Sequence, residues 1–245
     1  SQFNGAISGE IVKWFRSFNV ISGLRDHHYE GVTASMFKED EYRDKIKSLV
    51  KKADLGINDI SVNDFLISRE TLPDDMPEEM RKVVLKEAEG SMGYSIDTFH
   101  KSYDSNDKEK GLEKFDFDDQ ESEGTKKFFR LAGPIIDTLQ KGKILVIDEL
   151  DARLHPLLTR QVVKMFNSKS SNPNNAQLIF ATHDTNLLSA CTMRRDQIWF
   201  VEKDHIGGTE IYSLADYQLP KGKVRKDASF EKDYMQGKYG AVPFL

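Results

Sequence analysis

The sequence predicts an α/β fold, in which a parallel sheet has flanking helices and a mainly helical insertion interrupts it. Residues 144–147 are an unbroken apolar run, typical of a strand buried on both faces of a parallel sheet. A helical pattern begins at Pro156, and residues 178–182, a second run that is apolar up to Ala181, are predicted to be the next buried strand. This order of strand, helix and strand predicts a right-handed crossover between parallel neighbours.

Two acids, Asp148 and Glu149, directly follow the first apolar run. Ligands of open α/β sheets bind beyond the carboxyl ends of the strands, so these side chains are expected at a site. Successive side chains of an extended segment point in opposite directions, which predicts different tasks for the two acids. One can hold Mg²⁺, and the other can orient or deprotonate a water that attacks a phosphate. A solvated acidic turn is the alternative.

A strongly amphipathic helix is predicted after residues 121–125, with apolar residues recurring from Phe128 to Leu139. Free amides and the helix dipole at its N-terminus favour an anion. Gly124 would let a phosphate approach the backbone, and the hydroxyls of Ser122 and Thr125 could donate to it. The alternative is an ordinary N-cap made by Ser122.

His183 follows the second apolar run, in the sequence Thr-His-Asp. Since neighbouring parallel strands end at the same edge of a sheet, His183 is expected close to Glu149 and to a bound γ-phosphate. A structural or solvated histidine is the alternative at this position.

Length and composition limit the class of protein to which the chain can belong. The chain has 245 residues, of which 38% are hydrophobic and 31% charged, enough for one domain or one domain with a small appendage. It has no apolar run of the ~18 residues that a transmembrane helix needs, and its first residues show no basic region followed by an apolar core. No signal peptide, no membrane partner and a cytoplasmic location are therefore expected. The single Cys191 can form no internal disulfide.

The net charge of −5 does not indicate a protein that binds duplex DNA over a whole face. A possible nucleic-acid contact would be local, and its best candidate is a basic cluster formed by Lys221, Lys223, Arg225 and Lys226. A solvated loop is the alternative for this cluster.

The remaining segments are predicted from periodicity. A helix is predicted from Ile7 to Phe18, with Trp14 and Phe15 in the core. A helix from Pro77 through Glu87 would turn Met80, Val83, Val84 and Ala88 inward. Another helix should begin at Leu187. A further helix is predicted to have its apolar stripe within residues 42–53. Strands are predicted around residues 60–67, 95–102, 114–117, 197–202 and 209–213.

Four stretches of the sequence resemble the motifs of ABC-type ATPases, the class that includes the SMC and DNA-repair ATPases, and they stand in the order of that family. Glu121–Thr125 resembles the signature motif, residues 143–150 (KILVIDEL) the Walker B strand, residues 151–156 (DARLHP) the D-loop, and residues 178–184 (LIFATHD) the strand and switch histidine. Glu123 departs from the pattern, because the usual motif has a second glycine there.

A narrower resemblance covers mainly residues 115–245. The stretches ESEGTKKFF, VIDELDARLHPLLTR, QLIFATHDTNLL and GKYGAVPFL resemble the AAA-type, ABC-related ATPases of prokaryotic abortive-infection and restriction-linked defence loci. This implies a P-loop NTPase sheet, ATP and Mg²⁺ as cofactors, and ATP held between two protomers of a homodimer or higher oligomer.

The resemblance also implies the roles of seven residues in ATP binding and hydrolysis. They are Asp148 on Mg²⁺, Glu149 as base or water-positioning residue, His183 as γ-phosphate sensor, Ser122, Gly124 and Thr125 on the partner's nucleotide, and Asp151 coupling the two sites.

The phosphate cradle of such an ATPase is missing from the sequence. A P-loop needs Gly-x-x-x-x-Gly-Lys followed by Ser or Thr, and the Gly-Lys pairs at 142–143, 222–223 and 237–238 satisfy neither requirement. The chain is therefore expected to be the C-terminal portion of a longer ATPase or half of a split one. Residues 1–24 would end an N-terminal lobe, 25–113 would be a helical insertion with a small hairpin, and 114–245 would be the C-terminal lobe.

The function expected from the resemblance is ATP binding and hydrolysis at a dimer interface in bacterial antiphage defence. The implied partner is an effector nuclease, with a TOPRIM-type nuclease as one candidate. The alternative is an ATP-gated sensor or scaffold that regulates a partner effector with little or no hydrolysis of its own.

Overall fold

The computed structural model describes residues 5–53, 56–74, 76–189, 191–219, 222–224 and 229–242. In chain order the elements are α1 (Ala6–Arg16), β1 (Phe18–Ser22), α2 (His28–Phe37), α3 (Asp40–Lys52), β2 (Ile57–Leu66), α4 (Glu78–Ala88), β3 (Met92–Tyr103), β4 (Glu109–Asp116), α5 (Phe117–Gln120), α6 (Glu123–Lys141), β5 (Ile144–Asp148), α7 (Pro156–Asn167), β6 (Gln177–Phe180), β7 (Trp199–Lys203), β8 (Thr209–Ser213), β9 (Gln218–Leu219), β10 (Gly222–Lys223) and α8 (Phe230–Met235).

The central sheet is parallel, with strand order β1-β5-β6. This confirms the predicted α/β fold with a parallel sheet and flanking helices. Ile21, Leu145 and Ile147 point to one face and are fully buried. On the opposite face, Val20 and Ile179 flank Val146 in the strand register, and they are 66% and 51% exposed. One face of this sheet is therefore open over a row of apolar side chains.

Helix α6 is the most deeply buried element, as its apolar periodicity predicts. Phe128, Leu131 and Ile135 are fully buried, and the helix packs against α2 and α3. Gly133 permits the close approach of α2, because a Cβ there would lie 2.6 Å from Thr33 Oγ1. The same hydroxyl donates to the carbonyl of Arg130 at 2.8 Å.

An antiparallel sheet, β2-β3-β4, precedes α6. The three strands predicted in this region are present, although each begins earlier than expected and Phe117 begins α5. They form a three-stranded sheet in place of the expected small hairpin. The prediction that α4 turns four side chains inward is wrong for Met80 and Val83, which are 57% and 54% exposed. Val84 and Ala88 are half-buried, and no side chain of α4 is fully buried. Helical periodicity shows that one side is apolar but does not show whether another element covers it.

The N-terminal segment also differs from expectation. The helix ends at Arg16, and Phe18 begins β1, which pairs with β5. Phe18 fits both the helical spacing before it and the strand that follows, so periodicity did not reveal the boundary. Trp14 and Phe15 are 53% and 63% exposed, which contradicts their expected place in the core. They contact each other, with ring centroids 5.0 Å apart.

The C-terminal segment packs into a second, aromatic core around Phe200, Phe230 and Tyr239. The predicted pair of strands is confirmed as β7 and β8. The helix predicted from Leu187 is wrong: a short 3-10 turn spans Thr185–Leu187, and Asp184 caps it.

Three members of the basic cluster, Lys221, Arg225 and Lys226, lie outside the described residues, and Lys223 belongs to β10. Among the described residues, no helix combines the length and apolar character needed to cross a bilayer.

Candidate functional site

The carboxyl ends of β1, β5 and β6 lie at one edge of the sheet. Ser22 and Asp148 are register partners at the ends of their strands. The backbone N–H of Gly23 donates to the carbonyl of Asp148 at 2.7 Å. His183 follows β6 by three residues, at the same edge. The strand ends therefore gather the predicted acids and the histidine, as the sheet topology requires.

The chain turns sharply at Glu149. Its φ of 51° lies in the left-handed region that residues with a Cβ rarely adopt. Gly23 accommodates this turn, because a Cβ at residue 23 would lie 2.2 Å from the carbonyl oxygen of Glu149. Asp148 is exposed and Glu149 is half-buried. The two acids thus have different environments, which agrees with different tasks.

Asp151 joins the segment after β5 to the segment after β6. Its Oδ1 accepts the backbone N–H of His183 at 3.3 Å, and the N–H of Leu150 donates to the carbonyl of Ala181 at 3.1 Å. A displacement of one segment must therefore move the other. The imidazole of His183 is exposed at this junction.

The N-terminus of α6 lies against the segment after β5. A Cβ on Gly124 would lie 2.9 Å from the carbonyl oxygen of Arg153. Ser122 is the N-cap, since its Oγ accepts the N–H of Thr125 at 3.1 Å. The two hydroxyls, Ser122 Oγ and Thr125 Oγ1, are 2.9 Å apart. The N-cap interpretation is confirmed, and a phosphate contact by the same residues stays a prediction.

The two glutamates beside Ser122 have different partners. Glu123 lies 3.6 Å from a guanidinium nitrogen of the exposed Arg153. The side chain of Glu121 is only 6% exposed, lies 2.6 Å from His100 Nε2, and accepts the hydroxyl of Thr98. Strand β3 therefore holds the residue that precedes Ser122. Sequence reasoning missed this contact, because nothing in the local pattern pairs residue 121 with residue 100.

Lys127 is a second residue that sequence reasoning missed. It is fully buried on α6, one turn after the N-cap. Its ammonium donates to the carbonyls of Gly23 at 2.9 Å, Glu149 at 3.3 Å and Ala152 at 2.5 Å. Burial lowers the pKa of Lys127, and the nearby carboxylate of Asp26 opposes that shift.

A buried charge cluster lies behind this lysine. Asp26 is fully buried with an oxygen 3.5 Å from Arg130, and Arg130 Nε donates to Glu30 at 2.9 Å. A buried ion pair needs its partners, because an unpaired charge in the interior is costly. The cluster fixes α2 against α6 close to the site. Glu30 lies 100 positions before Arg130, and Asp26 lies still further away in the sequence, so no local motif signals the cluster.

The residues at this edge can accommodate Mg²⁺ in one way. Among the described residues, no group of three potential ligands lies close enough to hold a metal alone. Magnesium is commonly bound through one or two carboxylates together with substrate phosphates. The exposed Asp148 fits that mode, with the remaining ligands coming from phosphate and water.

The parallel sheet with flanking helices, with two acids and a histidine after its strands, is the architecture of the P-loop NTPase class. The profile of a family described as "AAA domain, putative AbiEii toxin, Type IV TA system" matches residues 12–189. The chain belongs to this AAA family, which is of the P-loop ATPase class. No curated protein matches the chain.

Family membership confirms the AAA-type part of the resemblance. The family match leaves three points as predictions: the kinship with SMC-like ABC ATPases of defence loci, the C-terminal position of the chain, and the role of each site residue.

Proposed function

We propose that this chain is the C-terminal portion of an ATPase that hydrolyses ATP between two protomers in bacterial antiphage defence. One observation carries the proposal: Asp151 binds the backbone of His183, and Gly124 packs on Arg153. These contacts bring together the segments after β5 and β6 and the start of α6, which the resemblance assigns to the two ATP sites of one dimer.

The proposed roles follow the environment of each group. Asp148, exposed at the end of β5, holds Mg²⁺, and the half-buried Glu149 orients or deprotonates the attacking water. His183 contacts the γ-phosphate. Asp151 transmits the state of one site to the other through its bond to the His183 backbone.

Ser122, Gly124 and Thr125 face the nucleotide of the partner protomer in this proposal. Ser122 already accepts the Thr125 N–H through its oxygen, and its hydroxyl proton can still be donated to a phosphate. The N-terminus of a nineteen-residue helix adds a favourable field for an anion.

In this proposal the P-loop is supplied by a segment upstream or by another chain. The open edge of the central sheet at β6 and its open face over Val20 and Ile179 support this part of the proposal. Strand β6 pairs with β5 alone among the described strands. A groove of about 400 Å³ runs along it, lined by side chains that include Leu178, Phe180 and Met193. A P-loop unit consists of a strand, the loop and a helix. Its strand would pair with β6, and its helix would cover Val20 and Ile179.

A second candidate function is an ATP-gated sensor that regulates a partner effector with little hydrolysis. The contact of His100 and Thr98 with Glu121 favours it, because strand β3 thereby reaches the residue next to Ser122. A partner that binds the β2-β3-β4 sheet would change the position of the helix start. An effector nuclease, with a TOPRIM-type enzyme as one candidate, would be that partner.

A pair of variants of equal size separates the phosphate role of Ser122 from its role as N-cap. Asp and Asn both cap helices well, so Ser122→Asp and Ser122→Asn should keep the thermal midpoint of the parent. Only the aspartate places a negative charge against the phosphate. We expect hydrolysis and ATP-dependent dimerisation to fall at least about tenfold in Ser122→Asp relative to Ser122→Asn.

The measurement is steady-state hydrolysis and the mass in solution with ATP, on the assembly that contains the P-loop. Equal behaviour of the two variants would show that Ser122 is a helix cap and does not contact phosphate.

A further inference from the structure

Lys127 carries an inference that rests on the proposed function and goes beyond it. A lysine ammonium has three donors, and in this chain three backbone carbonyls accept from it. Complete pairing of this kind is what a buried charge requires, since removing an ammonium from water is costly. The side chain is therefore bound in one position and does not simply fill space.

The three carbonyls belong to two segments of the site, one after β1 and one after β5. Gly23 follows β1, Glu149 is the proposed catalytic acid, and Ala152 lies in the D-loop-like segment. Lys127 itself stands on α6, two residues after Thr125. One side chain thus connects the helix start that faces the partner's nucleotide with the acid that acts on the chain's own nucleotide.

The backbone at Glu149 is held from several sides, and its carbonyl accepts both from Lys127 at 3.3 Å and from the N–H of Ala152 at 3.1 Å. Glu149 has a φ of 51°, a conformation that persists only where its surroundings enforce it. Gly23 supplies space on one side, and its N–H holds the carbonyl of Asp148. Lys127 donates to the carbonyl of Glu149 and to that of Ala152. The turn from residue 149 to residue 152 is therefore bound at both ends.

We infer that Lys127 is a positioning residue that fixes the backbone of Glu149 and of the D-loop-like segment relative to the start of α6. It does not touch the nucleotide. When phosphate binding at Ser122–Thr125 moves the start of α6, the three carbonyls follow through this ammonium. Each ATP site of the dimer is thereby linked to the catalytic acid of the other.

The test compares Lys127→Met with the parent and with Lys141→Met, a control at the exposed C-terminal end of the same helix. Amide hydrogen exchange of residues 149–153 in the full chain should be about tenfold faster in Lys127→Met and unchanged in Lys141→Met. In the assembly with the P-loop, kcat should fall about tenfold while KM for ATP stays within twofold. Lys127→Arg, which keeps the donors, should recover part of both losses.

The two proposals fail in different ways. Parental exchange and parental kcat in Lys127→Met would overturn the positioning role and leave the ATPase proposal intact. An assembly without hydrolysis would overturn the ATPase proposal, and hydrogen exchange would still decide the role of Lys127. If Lys127→Met does not fold, Lys127→Gln decides: intermediate exchange and kcat support the inference, and parental values contradict it.

Discussion

Replacing Glu149 by glutamine is expected to abolish ATP hydrolysis while leaving ATP bound between two protomers. Glutamine keeps the size of the side chain and removes its ability to accept a proton. A positioned general base contributes roughly 10²–10⁴-fold to such a reaction, so the rate should fall by at least about a hundredfold. Nucleotide binding should survive, because phosphate, Mg²⁺ and the partner helix are held by other residues.

The measurement is hydrolysis under saturating Mg-ATP together with the mass of the assembly in solution. Glu87→Gln, on the exposed face of α4, removes the same charge far from the site and should match the parent. A Glu149→Gln variant that hydrolyses ATP like the parent would show the catalytic assignment to be wrong. Antiphage activity that survives the loss of hydrolysis would favour the ATP-gated sensor.

Replacing Phe129 by alanine is expected to cost about 3–5 kcal/mol of the free energy of unfolding. Phe129 is fully buried on α6, and its ring meets that of Phe117 edge-on with centroids 5.1 Å apart. The loss combines the transfer of the side chain, the cavity left behind and the aromatic contact. Urea unfolding monitored by circular dichroism measures it.

An exposed phenylalanine provides the control for this prediction. Phe15 on α1 is 63% exposed, so Phe15→Ala should change the free energy of unfolding by no more than about 0.5 kcal/mol. A loss of about 3–5 kcal/mol in Phe15→Ala would mean that α1 is covered in solution. A loss in Phe129→Ala as small as that expected for Phe15→Ala would mean that α6 is not the centre of the core.

The parts of the fold that sequence analysis predicted correctly are those with strong, uninterrupted patterns. The apolar run that becomes β5 and the periodic stripe that becomes α6 each have one structural solution in a chain of this length. Phe18 shows where such reasoning fails, because it completes a helical period and also begins β1. Met80 and Val83 show a second failure, since an apolar stripe does not reveal whether a partner element exists.

The candidate site was predictable where its residues stand at strand ends and at a helix start. Asp148, His183 and Ser122 were placed by topology alone. Lys127 was not, because a lysine next to another lysine in a polar helix turn reads as solvated, and its three acceptors come from distant segments. The contact of Glu121 could not be predicted either, because its partner His100 lies 21 positions earlier in the sequence, on β3.

The most direct test of the central claim is a titration with Mg-ATP of the 245-residue chain alone and of the complex recovered with it from native cells. The chain alone should show no saturable binding below about 1 mM, because a P-loop supplies the phosphate cradle. The native complex should bind one ATP per chain, and Asp148→Asn should weaken that binding. Tight binding by the chain alone, or binding by the complex that Asp148→Asn leaves unchanged, would contradict the account.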